Sequence, residues 1–229
     1  MKISIIIPAL NEADNLSVLI PYLIKNSNTG NIAEIIISDG DSSDGSSNLF
    51  QNVPGVVFLS SKQGRAIQMN HGAREASAEV LYFLHADSFP PKQFDIKILQ
   101  KIQEGREAGC FRLKFDYKHP FLLISQWCTR WNFAICRGGD QSLFITKALF
   151  FKMNGFNENY TIYEDNEFTN RLYKERNFTV LPDYVKTSAR KYRKLGVYKL
   201  QYHFAVIHFK KLTGASPDAL YKYYKKHIG

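Results

Sequence analysis

The sequence predicts an α/β fold, a mostly parallel sheet with helices on both faces, followed by a basic helical tail. Three observations carry this. Short β-branched runs alternate with stretches of helical periodicity through the first half of the chain. Of the 229 residues, 45% are hydrophobic and 14% aromatic, enough to cover a sheet on both sides. The positive charge lies at one end. Residues 186–229 contain eleven Lys or Arg and one acid, Asp218, whereas the first 185 residues hold 19 basic and 20 acidic side chains. The division expected is a folded domain over 1–185 and a basic aromatic helical tail over 186–229.

The elements follow in order. ISIII (3–7) is a short apolar strand. In the next segment Leu16, Leu19, Ile20, Leu23 and Ile24 recur at helical spacing, with Asn11 or Asp14 as the expected cap. EIIIS (34–38) and GVVFLSS (55–61) are the second and third strands. Residues 64–77 form a helix that Gly72 weakens, and EVLYFL (79–84) is the fourth strand. This alternation is the signature of a parallel sheet. Beyond Pro91 a helix is expected over 94–105, a strand over 109–117, and an aromatic helix or irregular cover over 121–136. A helix over 165–177 and an extended stretch over 178–192 come next. Trp127 and Trp131, four apart, read as core or as lining of an acceptor cleft, with packing the favoured reading. In the tail, Ser216 before Pro217 is a strong helix start.

Several function classes are excluded by pattern. The cysteines Cys110, Cys128 and Cys136 are odd in number and lack C-x-x-C spacing, which argues against a disulfide framework or a zinc site. The N-terminal apolar run is too short for a signal peptide, and nothing approaches the roughly 20 apolar residues of a membrane span. The expected location is cytoplasmic, with the tail available to the inner face of a membrane. DGDSSDG (39–45) fails the calcium-loop pattern, because Asp44 and Phe50 stand where Gly and Glu are required. The chain has no dinucleotide fingerprint, P-loop or nucleophile elbow.

In an open parallel sheet, ligands bind beyond the carboxyl ends of the strands. The first strand is followed by Asn11 and Glu12, the second by Asp39, Asp41 and Asp44, and the fourth by His85 and Asp87. Each alone reads as turn chemistry. Together, three acidic loops at one sheet edge call for a cation or for hydrogen-bond donors such as a base N–H and ribose hydroxyls.

The ordered pieces ISIIIPALNEADNL, EIIISDGDSSDGS, GRAIQMNHGA, VLYFLHADS, GGDQSLF and YEDNEFTNRL resemble a family 2 glycosyltransferase of the GT-A fold. The likeness is to its small cytosolic branch with a HAD motif, and it covers about three quarters of the chain. The resemblance implies a nucleotide pocket lined by Pro8, Ala9, Asn11 and Glu12, with Asp39 accepting from the base. Asp41, Arg65 and His85 are expected beside it. It implies a divalent cation, Mn²⁺ or Mg²⁺, on Asp87, with His85 replacing the first aspartate of the usual D-x-D. Glu164 and Asp165 supply the catalytic base, and Asp140 and Gln141 contact donor or acceptor. Arg190, with Lys191, adds positive charge over a diphosphate. The expected reaction is inverting transfer from a nucleotide-sugar, first of all a UDP-sugar, to an acceptor hydroxyl or a lipid-linked acceptor. The alternatives are a nucleotidyltransferase, for which a Gly- and Arg-rich loop after the first strand is missing, and a non-catalytic membrane- or nucleic-acid-binding protein. Nucleic acid is not the expected partner. The tail is expected either to pack on the domain or to meet an anionic membrane.

Overall fold

A computed structural model describes residues 1–50, 53–175 and 178–229. The isoleucines of β1 (Ile3–Ala9) alternate between two cores, as successive strand residues must. Ile3, Ile5 and Ile7 join Leu16, Leu19 and Leu23 of α1 (Ala13–Asn26) on one face. Ile6 joins Met69 and Ala73 of α3 (Arg65–Glu75) on the other. Both faces are therefore covered, and a fully buried isoleucine contributes about 1.5–3 kcal/mol. β2 (Ile32–Asp39), a short α2 (Ser46–Phe50), β3 (Val56–Ser60) and β4 (Val80–Phe83) complete the first half.

The second half contains β5 (Ser88–Phe89), α4 (Phe94–Gln103), β6 (Ala108–Phe115), α5 (Pro120–Cys128), β7 (Leu143–Thr146) and α6 (Lys147–Lys152). It continues with α7 (Glu164–Lys174), β8 (Phe178–Thr187), α8 (Arg190–Leu195), α9 (Val197–Leu212) and α10 (Pro217–His227). The sheet order is β3-β2-β1-β4-β7-β6-β8-β5. β1 to β4 are mutually parallel where they pair, β7 runs antiparallel to β4 and β6, and β6 pairs parallel with β8. The strand order turns between β1 and β4, which places the crevice of an open α/β sheet beside the tips of those two strands.

Several expectations are corrected. Neither Asn11 nor Asp14 caps α1. Its N-cap position is Glu12, without a side-chain cap bond, because Asn11 takes a left-handed backbone (φ 53°) and spends its amide oxygen on the Ser43 N–H. Residues 190–192 are helical rather than extended, since β8 ends where its pairing with Phe115 and Ser88 ends, at Thr187. Trp127 and Trp131 are exposed, not core. His119 caps α5 by accepting from the Phe121 N–H at 3.3 Å. Of the helix expected over 165–177, Arg176 and Asn177 lie outside the described residues.

The helices after β8 are packed on the domain. Leu200, Ile207, Leu220 and Ile228 belong to the same core cluster as Ile5 of β1. Ser216 caps α10 as expected, accepting from the Ala219 N–H.

Candidate active site

The tips of β1 and β2 are laced into one platform. The Asp39 carboxylate, nearly buried, accepts from the backbone N–H groups of Asp41 (3.1 Å) and Ser42 (2.9 Å) and from the Ser42 hydroxyl. The Asn11 N–H donates to Ser42 Oγ at 2.8 Å, and the Ala13 N–H donates to Asp44 Oδ2 at 2.8 Å. Asp41 follows in a left-handed conformation (φ 73°), the strained turn that brings these donors round one carboxylate. Ala9, the last residue of β1, accepts through its carbonyl from the Gly40 N–H and from the buried Gln68 amide, while Pro8 sits one residue earlier on the strand. Beside this platform an open cleft of about 570 Å³ is lined by Leu10, Asp41, Ser60, Lys62 and Gln63. That is the size of a small-molecule pocket.

The tip of β4 faces a second group. His85 Nδ1 lies 3.3 Å from Asp140 Oδ1, and His85 Nε2 lies 3.9 Å from Asp165 Oδ2. Burial works against the imidazolium, but the Asp140 hydrogen bond and the neighbouring carboxylates outweigh it and the repulsion of Arg65, so His85 is held above its ordinary value. Asp140 is held below its own. Burial pushes it up, but the hydrogen bond and charge of His85, with Arg65 and Lys191 beyond, win.

Asp87 has a different environment. No hydrogen bond reaches its carboxylate among the described residues, and its carbonyl accepts from the Ser188 N–H. Burial, then the charge of Asp140, push its carboxyl up, while His85 and Arg190 pull it down. An ionised carboxylate there wants a positive partner, so its chemistry fits a divalent cation. Among the described residues no three His, Cys, Asp or Glu side chains gather as a complete metal cage. A cation would therefore depend on Asp87 plus oxygens of a bound ligand, which is how Mg²⁺ is commonly held. Arg190 reaches across to Glu12 (3.2 Å), so the tail contributes one cation directly to the β1 tip.

α7 presents its acids in its first turn, where the helix dipole favours them. The pair splits into two roles. Glu164 is fully buried, and Arg65 lies 3.0 Å from it without hydrogen-bond geometry to either oxygen. Burial first, and then the charge of Asp165, push Glu164 up despite Arg65, whose guanidinium is partly exposed and shared with Asp165 at 3.5 Å. Asp165 is the open member. It lines a cavity of about 20 Å³ with His85, Gly139, Met69 and Phe83, room for one water-sized group. Gly139 presses on it so closely that a Cβ there would fall 1.9 Å from Asp165 Oδ2.

The geometry thus brings together Arg65, His85, Asp140, Glu164 and Asp165 as one group. Glu12, Asp87 and Arg190 line its approach, and Pro8, Ala9, Asn11, Asp39 and Asp41 form the neighbouring platform. Gln141 stands apart. Its amide is buried, accepting from the Gly138 N–H and donating to the Phe111 carbonyl, so it braces the turn. Sequence reasoning passed over Lys62 and Ser60, although the rule that sites follow strand ends applies equally to β3. It also passed over Gly139 itself, although GGDQSLF is one of the pieces that carry the resemblance.

Comparison with known proteins bears on fold first. S. aureus TarS residues 1–349 in complex with UDP superimposes with a TM-score of 0.69 at 18% identity, covering 82% of this chain and 61% of that one. The same protein with UDP-GlcNAc gives 0.70 at 19% identity, covering 82% and 58%. The fold is GT-A. The chain belongs to glycosyl transferase family 2, whose profile matches residues 4–210. A curated relative, dolichol-phosphate mannosyltransferase of Pyrococcus furiosus, is 30% identical over 114 residues, 48% of this chain and 32% of its own length. The chain therefore spans about a third of that relative and about three fifths of these TarS chains.

Proposed function

We propose that the protein transfers a sugar, with inversion, from a nucleotide diphosphate donor to an acceptor hydroxyl. One observation carries this reading: the Asp165 carboxylate is held against Gly139 between Arg65 and His85, at the same sheet edge as the Asp39 platform. The presence of UDP and UDP-GlcNAc in the TarS structures supports a uridine nucleotide as the first donor to try.

The roles follow from placement. Asp39 accepts from the base, and Asn11, Glu12 and Asp41 close the walls of the nucleotide pocket. Asp87 would hold a divalent cation, and such a cation would supply charge neutralisation for the leaving diphosphate. Arg190 adds charge at the same point. Asp165 removes the proton from the acceptor hydroxyl as it attacks the anomeric carbon, and a single in-line displacement inverts that centre. Arg65 offsets the two adjacent acids, so that bringing a third negative group close is less costly. His85 and Asp140, 3.3 Å apart, form an ion pair that fixes the side of the pocket facing the transferred sugar.

Thermal unfolding with UDP, GDP, CMP and their sugars, with and without Mn²⁺, tests this on the wild type and on Asp87→Ala. A ligand at 100 times its Kd stabilises by about 2.7 kcal/mol. The expected result is a metal-dependent rise in Tm for one nucleotide class, lost in Asp87→Ala. No rise with any nucleotide in folded protein would overturn the reading.

A further inference from the structure

We propose that the exposed face of α5 and the loop after it dock on an anionic lipid bilayer, with Trp127 and Trp131 at the headgroup level. Leu123, Ile124 and Trp127 lie at helical spacing on α5, and Trp131, Phe133 and Ile135 follow on the loop. All six are exposed, Ile124 by 65%, Phe133 by 63% and Ile135 by 91%. Scattered apolar side chains need no explanation, but six within thirteen residues mark a contact surface. The loop is held in place from beneath. Buried Arg137 donates to the carbonyls of Thr129 (2.7 Å) and Trp131 and to Cys110 Sγ (3.2 Å), so the apolar side chains are presented by a fixed backbone.

Charge selects the occupant. No acidic residue stands between Asp116 and Asp140, while Lys118 and Arg130 flank the stripe, Arg130 lying 4.6 Å over the Trp127 ring. The surface continues onto α9, where exposed Tyr198 meets Phe121 (6.1 Å) and His119 (5.4 Å), with Lys194 and Lys199 close by in sequence. Tryptophan beside basic residues is the composition of the membrane–water boundary, where each Lys or Arg near an anionic surface contributes about 1 kcal/mol. A second copy fits less well. A two-fold interface sets a patch against itself and would oppose these cations to one another. The apolar element thus lies on α5, and the basic tail assists it.

Docking this way would bring the bilayer to the candidate site. Ile135 is four residues from Gly139, at most about 14 Å of chain. An acceptor carried in the membrane would then arrive beside Asp165. This last step rests on the proposed function; the docking does not.

The chain's two tryptophans are both on the proposed surface, so their fluorescence reports on it directly. Vesicles of phosphatidylcholine with phosphatidylglycerol should shift the emission to the blue, and brominated acyl chains should quench it. Pure phosphatidylcholine should bind far more weakly. The double variant Ile124→Glu, Ile135→Glu should lose at least about tenfold in partitioning, about 1.4 kcal/mol, with nucleotide-induced stabilisation intact. Co-sedimentation without quenching would mean that the tail alone binds and would overturn the proposal. So would no binding at all, equal binding to neutral vesicles, or a blue shift that grows with protein concentration without lipid.

Discussion

Gly139→Ala isolates the contact on which the candidate site turns. The new Cβ would sit 1.9 Å from Asp165 Oδ2, 2.6 Å from its Cγ and 3.0 Å from His85 Cε1. Ordinary contacts begin near 3.4 Å. Asp165 must therefore withdraw by roughly 1.5 Å or the turn must move back by as much, and a 1 Å misplacement at a reacting group can cost on the order of 100-fold. Gly139 does not occupy the left-handed region, so alanine adds no backbone strain of that kind. The neighbouring Gly138→Ala is the control, because a Cβ there meets nothing within 4 Å. With the nucleotide-sugar identified by thermal unfolding, release of the nucleoside diphosphate would be followed for both variants. Gly139→Ala should lose about 100-fold in kcat with donor-induced stabilisation retained, and Gly138→Ala should match the wild type. A folded Gly139→Ala enzyme that turns over within a few-fold of wild type would mean that the close approach of Gly139 to Asp165 does not govern transfer.

Other outcomes follow from packing and charge. Gly72→Ala would put a Cβ 2.6 Å from Ile6 Cγ2, between α3 and β1. Overpacking should cost about 1–3 kcal/mol, more than the gain of about 1 kcal/mol in helix propensity, so urea unfolding should show net destabilisation. Burial, and then the charge of Asp165, hold the Glu164 carboxyl above its ordinary value in the folded chain. The native state therefore keeps a proton above the ordinary carboxylate range, and stability falls as pH rises through that window. Glu164→Gln should flatten this slope in denaturation series, and a slope as steep as that of the wild type would assign it elsewhere.

Much of the architecture is written in local pattern. The isoleucine runs of β1 and β2 read as buried strands, and the acidic loops after them stand at the carboxyl edge of the sheet, where open α/β sheets bind ligands. Ser216 with Pro217 starts α10 as its chemistry requires. What escaped was decided at long range. β7 is four residues long, and its strand state comes from antiparallel pairing with β4 and β6 rather than from its own signal. Trp127 and Trp131 carry the periodicity of a core helix, but periodicity states only that a face avoids water, not what covers it. Glu164 and Asp165 are adjacent and chemically alike. Which one is buried against Arg65 and which one meets Gly139 depends on the rotation of α7, set by a left-handed Tyr163 (φ 72°) whose hydroxyl pairs with His208 of α9 at 3.0 Å. No feature of the YED triplet encodes that contact.

Asp165→Asn offers the most direct test of the central claim. The substitution keeps the side-chain shape and removes the proposed base. Donor affinity by calorimetry and sugar transfer should be measured on the same sample. A donor Kd within a few-fold of wild type is expected, with transfer reduced by at least about 100-fold, the usual contribution of a positioned general base. Undiminished transfer would contradict this expectation and move the base to another carboxylate of the same edge.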